Sequence, residues 1–234
     1  MSLPGLKFNE QHSSDYGLIM RYFIPQLPAP KKIKAEVPFM DSVYDFSTIA
    51  TNGEKVYGQR EVKVGFAILA NSKGQLHAMY SNAMRWLIEN PQGKLISDYI
   101  IDVYFLAEVE DAPDWSEVQE TGEFEVTFTA EPFKYGIDLM GELIWDNFNF
   151  ETDVLQELTF IVAGTKTVDI YNPGRSICPK INASTNMSVV LNGYTLNLVA
   201  GDNINYRFRF KYGHNTVAIN GTGTLEFIFR KEVF

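Results

Sequence analysis

The sequence predicts an α+β N-terminal domain with one helix, followed by an all-β C-terminal domain. Three observations support this: a single segment with helical periodicity, many segments with strand alternation, and Pro132 directly after the segment 123–131. In 123–131 apolar and polar residues alternate with a period of two, which predicts a strand with one buried face. Proline lacks a backbone donor, so we expect the chain to leave its sheet there. The predicted domains are therefore residues 1–134 and 135–234.

Composition limits the function classes. With 234 residues the chain is long enough for two domains with separate cores. A formal net charge of −9 argues against an outer surface built to bind nucleic acid. Cys178 is the only cysteine, which excludes an intrachain disulfide and a cysteine-rich metal site. No apolar run approaches the roughly 20 residues of a membrane span, and we expect no membrane contact and no signal peptide.

The chain opens with a short strand at 6–9 and a turn at 11–18. His12, Ser14 and Asp15 are the residue types of a catalytic triad. A triad is a spatial constellation that also needs an oxyanion hole, and residues adjacent in sequence seldom form one. Ser, Asp and Gly are also typical turn residues, so a plain turn is the favoured interpretation.

The segment from Phe23 to Tyr57 is rich in proline and includes a basic cluster at 31–34. Prolines at this density favour an extended arm or a long exposed hairpin. A flexible linker is one hypothesis; the favoured one is an arm whose apolar residues pack on a neighbouring subunit. The candidate subunit-interface residues are Phe23, Val37, Phe39, Val43 and Phe46.

The one convincing helix follows an alternating segment at 55–69. Apolar residues recur at three- and four-residue steps from Leu76 to Ile88 and form a single stripe. Ser72 and Gln75 have capping-box spacing, and Asn90 before a proline is a stop signal. The pattern predicts a helix that lies against a sheet.

The segment from Leu95 to Glu131 contains no Lys or Arg but many carboxylates. We expect strands near 95–106 and a turn near Trp115. The segment could be a solvated hairpin face, or a surface that avoids a negative partner or faces a basic one. Glu108 and Glu110 could serve as an acid–base pair, but so many carboxylates indicate bulk charge instead.

After the boundary, 138–150 is predicted to be a connector that carries Trp145. From Leu155 onwards the pattern is short strands separated by turn signals, including 163–164, 192–193 and 220–221. Such spacing without helical periodicity predicts an antiparallel sandwich.

No chemical motif stands out. His12, His77 and His214 are far apart without partners at metal-ligand spacing. The chain has no phosphate-binding loop, dinucleotide fingerprint or Gly-x-Ser-x-Gly elbow. We therefore predict no catalytic residue, metal or cofactor, and a structural or binding protein instead of an enzyme.

The order of several motifs resembles the distal tail protein family of long, non-contractile-tailed phages. The residues that carry the resemblance span nearly the whole chain: Phe8–Asn9, Ser13–Leu18, Tyr57–Arg60, the helix Leu76–Ile88, Gly122–Phe133, and Ile170–Gly174 followed by Cys178–Ile181. Each motif is loose, and their order and spacing give the match its specificity.

The resemblance implies a split-barrel N-terminal domain similar to tail-tube proteins and a galectin-like C-terminal sandwich. It implies a homo-hexameric ring at the virion tail tip, made in the bacterial host cytoplasm. The ring would join the tail tube protein to a tail-tip or tail-associated lysin protein, with receptor-binding proteins as further partners. DNA would pass through a central channel without specific binding. Since a channel for DNA should repel phosphates, the channel-facing candidates are Glu108, Glu110, Asp111, Asp114, Glu117 and Glu120.

Two departures and two alternatives stay open. Pro38–Ser42 stands where a Gly-rich turn is expected, and the sandwich lacks the His-Asn-Arg and Trp-Gly signature of sugar-binding galectins. The main alternative function is a carbohydrate-binding protein that recognises host cell-wall glycans. A glycoside hydrolase with unrecognised carboxylates is a more remote one.

Overall fold

The computed structural model describes residues 4–36, 38–39, 41–48, 53–142, 148–151 and 153–234. Val37 and Trp145 lie outside these residues. The chain divides into two compact units, Met1–Lys134 together with Phe234, and Tyr135–Val233.

The first unit is mostly β, with one α-helix among its described residues. Its strands are β1 (Leu6–Phe8), β2 (Gln11–His12), β3 (Leu18–Pro25), β4 (Lys34–Ala35), β5 (Tyr44–Asp45), β6 (Arg60–Leu69), β7 (Gly93–Ser97), β8 (Ile100–Val109), β9 (Asp114–Val118) and β10 (Thr121–Gly136). The main sheet has the order β2-β1-β7-β8-β10-β6-β3, with β9 also paired to β10, and it curves into a nearly closed barrel. Strands β4 and β5 form a separate two-stranded sheet.

The core of this unit lies on the inner face of the barrel. Strands β6 and β10 are antiparallel, with Phe66 opposite Phe124 and Val62 opposite Phe128. All four side chains are buried, and each contributes about 1.5–3 kcal/mol relative to an exposed position. The alternation predicted for 123–131 therefore corresponds to one buried and one outward face.

Pro132 does not end its strand, and that prediction was wrong. Strand β10 continues to Gly136. Its ladder with β6 ends at the pair Ala130–Arg60, so Pro132 stands beyond the point where a donor towards β6 is needed. Its carbonyl accepts a hydrogen bond from Arg60 Nη1 at 3.4 Å.

The predicted helix is confirmed as α1, Lys73–Glu89. Ser72 caps it by accepting from the backbone of Gln75 at 3.3 Å, while the Gln75 side chain accepts from Asn71 N at 3.0 Å. Trp86 is buried, and its indole nitrogen donates to the carbonyl of Phe8 at 3.2 Å. This bond fixes the helix against the first strand of the barrel.

The segment with triad residue types is a helix cap. A 3-10 helix spans Ser13–Tyr16. The ring nitrogen Nδ1 of His12 accepts from Ser14 N at 3.2 Å, and Asp15 Oδ2 accepts from His12 N at 3.1 Å. Gly17 ends the turn with a φ of 68°. The turn interpretation is confirmed.

The second unit contains only strands among its described residues beyond β10. They are β11 (Thr159–Asn172), β12 (Lys180–Ala183), β13 (Met187–Leu191), β14 (Tyr194–Leu198), β15 (Gly201–Asn203), β16 (Gly213–Ile228) and β17 (Glu232–Val233). Strand β16 pairs with β11 along the whole length of β11. Its other edge pairs first with β13 and then with β12.

Two of the predicted turns are bends inside long strands. Gly164 lies within β11 and pairs with Gly221 within β16. Their φ values are 96° and 138°, which glycine adopts without strain, so both strands bend while the ladder continues. The third turn, Asn192-Gly193, joins β13 to β14 with φ values of 51° and 79°, as expected for a tight hairpin.

In the Asn172-Pro173-Gly174 element of the family resemblance, the buried side chain of Asn172 links separate segments of this unit by hydrogen bonds. Asn172 donates to the carbonyls of Arg175 at 2.7 Å and Phe210 at 3.3 Å, and accepts from Gly174 N at 3.1 Å. A Cβ on Gly174 would lie 2.4 Å from the backbone oxygen of Glu232. Close approach of two backbones therefore requires glycine at this position.

We expect residues 135–234 to fold without the rest of the chain, because the second unit has its own continuous hydrophobic core. The fragment should be soluble, show β-type circular dichroism and unfold cooperatively with heat. It should begin at Tyr135, because Gly136 N donates to Lys231 O at 2.9 Å and Arg230 donates to Gly136 O at 3.1 Å. A control fragment that starts at Met140 lacks both bonds and should be less stable. Cooperative folding only in the full chain would contradict the domain prediction.

Candidate interface surfaces

The described residues of the proline-rich segment form a hairpin, here called the arm, within residues 26–58. It extends from β3 and β6, with backbone bonds from Gln26 N to Glu61 O and from Gly58 N to Ala29 O, both 2.8 Å. Farther out, Lys31 N donates to Val56 O at 2.8 Å, and β4 pairs with β5. The prolines are compatible with this ladder because a two-stranded arm leaves one edge of each strand unpaired.

The arm presents apolar side chains to solvent. Phe39 is fully exposed, with a φ of 68°, and Val43 and Phe46 are 47% and 42% exposed. Phe46 stacks on Tyr44 with ring centroids 6.0 Å apart. Exposed apolar groups that are concentrated on one projecting element mark an interaction surface.

Phe23 differs from the other interface candidates. It lies in β3, before the arm begins, and packs on the barrel core with its ring 5.9 Å from that of Phe105. Phe23 therefore has a burial partner inside its own unit. Val37 lies outside the described residues. The interface proposal accordingly depends on Phe39, Val43 and Phe46.

Polar contacts brace the arm internally. Ile33 N donates to Ser47 Oγ at 2.8 Å, and Ser47 N donates to Asp45 Oδ1 at 2.9 Å. Hydrogen bonds from Ser47 lower the pKa of Asp45, whose carboxylate also lies 3.5 Å from Lys32 Nζ. These contacts tie the two strands of the arm together close to Phe46.

Aromatic packing anchors the base of the arm. The ring of Tyr57 lies 5.6 Å from Phe133 and 5.0 Å from Phe234, and these two phenylalanines are 5.2 Å apart. Edge-to-face pairs of this kind contribute about 0.5–1.5 kcal/mol beyond their buried area. The arm therefore leaves the barrel from a fixed point.

The six channel-facing candidates do not share one surface. Glu117 points towards α1, where it lies 3.2 Å from His77 and 3.8 Å from Lys73. Glu110 accepts from the Thr129 hydroxyl at 3.0 Å. Both carboxylates therefore have partners within their own unit.

The other four candidates make no side-chain hydrogen bond or ion pair with any described residue: Glu108, Asp111, Asp114 and Glu120. Glu108 is half-buried and the other three are exposed. They belong to β8, β9 and the turns beside them. This part of the segment 95–131, here called the acidic segment, therefore carries uncompensated negative charge.

Cross-strand pairing adds carboxylates that the candidate list missed. On the outer sheet face Asp114 pairs with Glu125, Glu125 with Gly65, and Gly65 with Tyr22. The Tyr22 ring occupies the space above Gly65, and its hydroxyl donates to Glu125 at 2.6 Å, which raises the pKa of Tyr22. These groups line an open cleft of about 270 Å³. The alternation of Glu123 and Glu125 was visible in the sequence, but their partners on β3 were not.

A known protein family matches the part of the chain that carries these surfaces. Residues 11–130, just over half of the chain, match the family described as phage tail protein RIFT-related domain. The chain belongs to this family. The match includes the arm, α1 and the acidic segment, so the candidate surfaces all belong to the phage tail domain.

The fold also matches a solved structure over the full length of both chains. That structure is the Dit protein (gp 19.1) of phage SPP1, described as a paradigm of the hub adsorption apparatus in phages that infect Gram-positive bacteria. The TM-score is 0.71 at 11% sequence identity, so the likeness concerns the fold. With the family match, it confirms the predicted resemblance to phage distal tail proteins. No curated protein sequence matches the chain.

Family membership assigns the protein to the virion tail and to a structural family instead of an enzyme family. Within the described residues there is no group of three or more His, Cys, Asp or Glu side chains placed to hold a metal ion. The structure likewise contains no helix, in the ranges that it describes, that is long and apolar enough to cross a membrane.

Proposed function

We propose that this phage tail protein forms a hexameric ring that joins the tail tube to the tail tip or baseplate and leaves a channel for DNA. Residues 1–134 would be the tail-tube-like, ring-forming split barrel, and residues 135–234 a galectin-like sandwich. The family match over the first unit and the Dit-like fold support this function.

The observation that carries the proposal is the arm. On the described part of this hairpin Phe39 is fully exposed, Val43 is 47% exposed, and Phe46, which stacks on Tyr44 within the arm, is still 42% exposed. A neighbouring copy can cover them. Because the arm of one copy would contact a different surface on the next, the interface would be head-to-tail, and such an interface forms a ring when the rotation from copy to copy closes.

A head-to-tail ring has two different faces, which suits an adaptor between unlike neighbours. We propose the tail tube protein as the partner on one face and a tail-tip or tail-associated lysin protein on the other, with receptor-binding proteins outside. The protein would be made in the host cytoplasm and would end at the virion tail tip. DNA would pass through the ring without specific binding.

The unpaired carboxylates of the acidic segment are the proposed channel residues. DNA carries about one negative charge per 1.7 Å of duplex axis, so lysines and arginines in a narrow channel would retain it. Asp111, Asp114 and Glu120 are exposed and unpaired, and the whole segment 95–131 offers no cation of its own. Repulsion among copies is screened within about 8 Å at physiological salt and need not prevent assembly.

We expect Phe39→Ser and Phe46→Ser to weaken assembly by about tenfold or more each, because truncating a central interface residue costs about 1–4 kcal/mol. Light scattering coupled to gel filtration across a concentration series measures the effect. Circular dichroism should be unchanged, since neither residue belongs to the buried core.

Ile161→Ser is the matched control. Ile161 is 79% exposed on the second unit, so the control loses a comparable apolar side chain away from the arm. Assembly of the control should equal that of the parent. If both arm variants assemble like the parent, or if the parent is monomeric at all concentrations, the arm has another role.

A further inference from the structure

The second unit contains a stretch without acidic residues, whereas the acidic segment, residues 95–131, has no basic ones. From Asn203 to Leu225 the chain has no Asp or Glu, although the protein has a net charge of −9. The same stretch contains Arg207, Arg209 and Lys211 at alternate positions. Positive charge is therefore concentrated locally on an acidic protein.

The two residues that separate these three cations are buried. Phe208 and Phe210, which alternate with them, are 1% and 0% exposed and pack in the core. Arg209 lies between the two phenylalanines and is half-buried, whereas Arg207 lies in a turn that is closed by a backbone bond from Phe208 N to Asn205 O at 3.0 Å. Arg207 and Lys211 are exposed.

Side-chain bonds hold the segment in place at both ends. Asn205 Oδ1 accepts from Arg207 N at 2.9 Å. The buried Asn215 accepts from Lys211 N at 2.9 Å and donates to Lys211 O at 2.8 Å. Arg209 donates to the Ser176 hydroxyl and carbonyl at 3.0 and 2.6 Å. The cations are thus presented by an ordered backbone.

An exposed tyrosine stands at each end of the cations. Tyr206 is 79% exposed and Tyr212 is 72% exposed. Interaction with Tyr212 raises the pKa of Tyr171, whose ring lies 5.1 Å from that of His214. We call Tyr206, Arg207, Arg209, Lys211 and Tyr212 the basic strip.

The charges of the strip are available to a ligand. The side chains of Arg207 and Lys211 make no hydrogen bond or ion pair with any described residue. Asp169 on β11, whose cross-strand partner is Thr216, is held by His214 Nδ1 at 2.5 Å. Local carboxylates therefore do not neutralise the two exposed cations.

We propose that the basic strip binds an anionic polysaccharide. Arg207 and Lys211 would pair with its acidic groups, and the apolar faces of its sugar rings would pack on Tyr206 and Tyr212. The proposal narrows the wall-glycan alternative to acidic glycans and does not depend on ring formation.

Binding of the full-length protein to dextran sulfate, polygalacturonate, neutral dextran, polyglutamate and duplex DNA tests the proposal. Affinity electrophoresis over a salt series gives the affinities. We expect binding to both acidic glycans that weakens with salt, and none to neutral dextran. The double variant Arg207→Ser/Lys211→Ser should lose at least tenfold in affinity, and Tyr206→Ser about fivefold for the glycans but not for polyglutamate.

The control variant Arg85→Ser/Lys166→Ser removes one Arg and one Lys at exposed positions outside the strip and should change the affinity less than twofold. Equal losses in the strip and control variants would show net-charge binding only and overturn the proposal. So would polyglutamate or DNA binding as tightly as the glycans, or no binding of the parent to either acidic glycan. The oligomeric state, measured separately, reports on the ring and not on this site.

Discussion

Asp153→Ala should lower the free energy of unfolding of the second unit by about 3–5 kcal/mol, the cost of removing one partner of a buried ion pair. The Asp153 carboxylate lies 2.6 Å from Lys231 Nζ, and the two side chains are 1% and 3% exposed. Asp153 also accepts from Asn149 N at 3.0 Å. Truncation therefore leaves a buried ammonium group without its carboxylate. Urea unfolding of the fragment 135–234 measures the change.

Matched variants separate charge from packing. Lys231→Met should destabilise by a similar amount because it leaves the carboxylate buried and unpaired. Asp153→Leu combined with Lys231→Met should recover most of the loss, since apolar replacements of a complete buried pair are often neutral. If the double variant is as unstable as either single variant, the pair acts through shape and not through charge.

Arg60 in the first unit is a useful contrast. It is buried, which lowers the pKa of its guanidinium, and its Nε has no hydrogen-bond partner among the residues that the structure describes. Its other contacts are a 3.4 Å bond to Pro132 O and the ring of Phe105 at 5.2 Å. Without a carboxylate partner there is no pair to break, so Arg60→Met should change the unfolding free energy of the full chain by less than about 1 kcal/mol.

Local pattern predicted the elements whose conformation depends on near neighbours in sequence. Helix α1 follows from its apolar stripe and the Ser72 cap, and the hairpin of strands β13 and β14 follows from Asn192-Gly193. Pro132, Gly164 and Gly221 were misassigned because their effect depends on the strand that lies beside them. A proline past the end of a ladder and two glycines facing each other inside one do not interrupt pairing.

Long-range contacts explain what the sequence could not show about the surfaces. Glu117 was indistinguishable from Asp114 by composition, yet one faces the helix and the other the outer sheet face. The Asp153–Lys231 pair joins residues 78 positions apart. Phe23 was grouped with the arm by its neighbouring prolines, while its partner Phe105 lies on β8. The basic strip was visible as an acid-free stretch, but only the structure shows that Arg207 and Lys211 are exposed while Phe208 and Phe210 are buried.

We expect the assembled ring of the parent protein not to bind duplex DNA, and the ring of the triple variant Asp111→Lys/Asp114→Lys/Glu120→Lys to bind it tightly. These three carboxylates are exposed and unpaired, so the change should leave the fold intact. Six copies would present many ammonium groups to phosphates. For a protein that contacts 6–10 phosphates, affinity falls by about 10³–10⁵ between 50 and 200 mM salt. We therefore expect tight binding at 50 mM salt that is nearly lost at 200 mM.

The shape of the DNA distinguishes a channel from an outer wall. A linear duplex can thread through a ring, whereas covalently closed circular DNA cannot. If the acidic segment lines the channel, the triple variant should bind the linear form at least tenfold more tightly than the circular form, as measured by fluorescence anisotropy with a competitor series. The control variant Glu142→Lys/Glu151→Lys/Glu157→Lys makes the same charge change at exposed positions of the second unit. It should bind linear and covalently closed circular DNA with equal affinity. Equal binding of linear and circular DNA by the triple variant would place its lysines on the outside of the ring and refute the channel assignment.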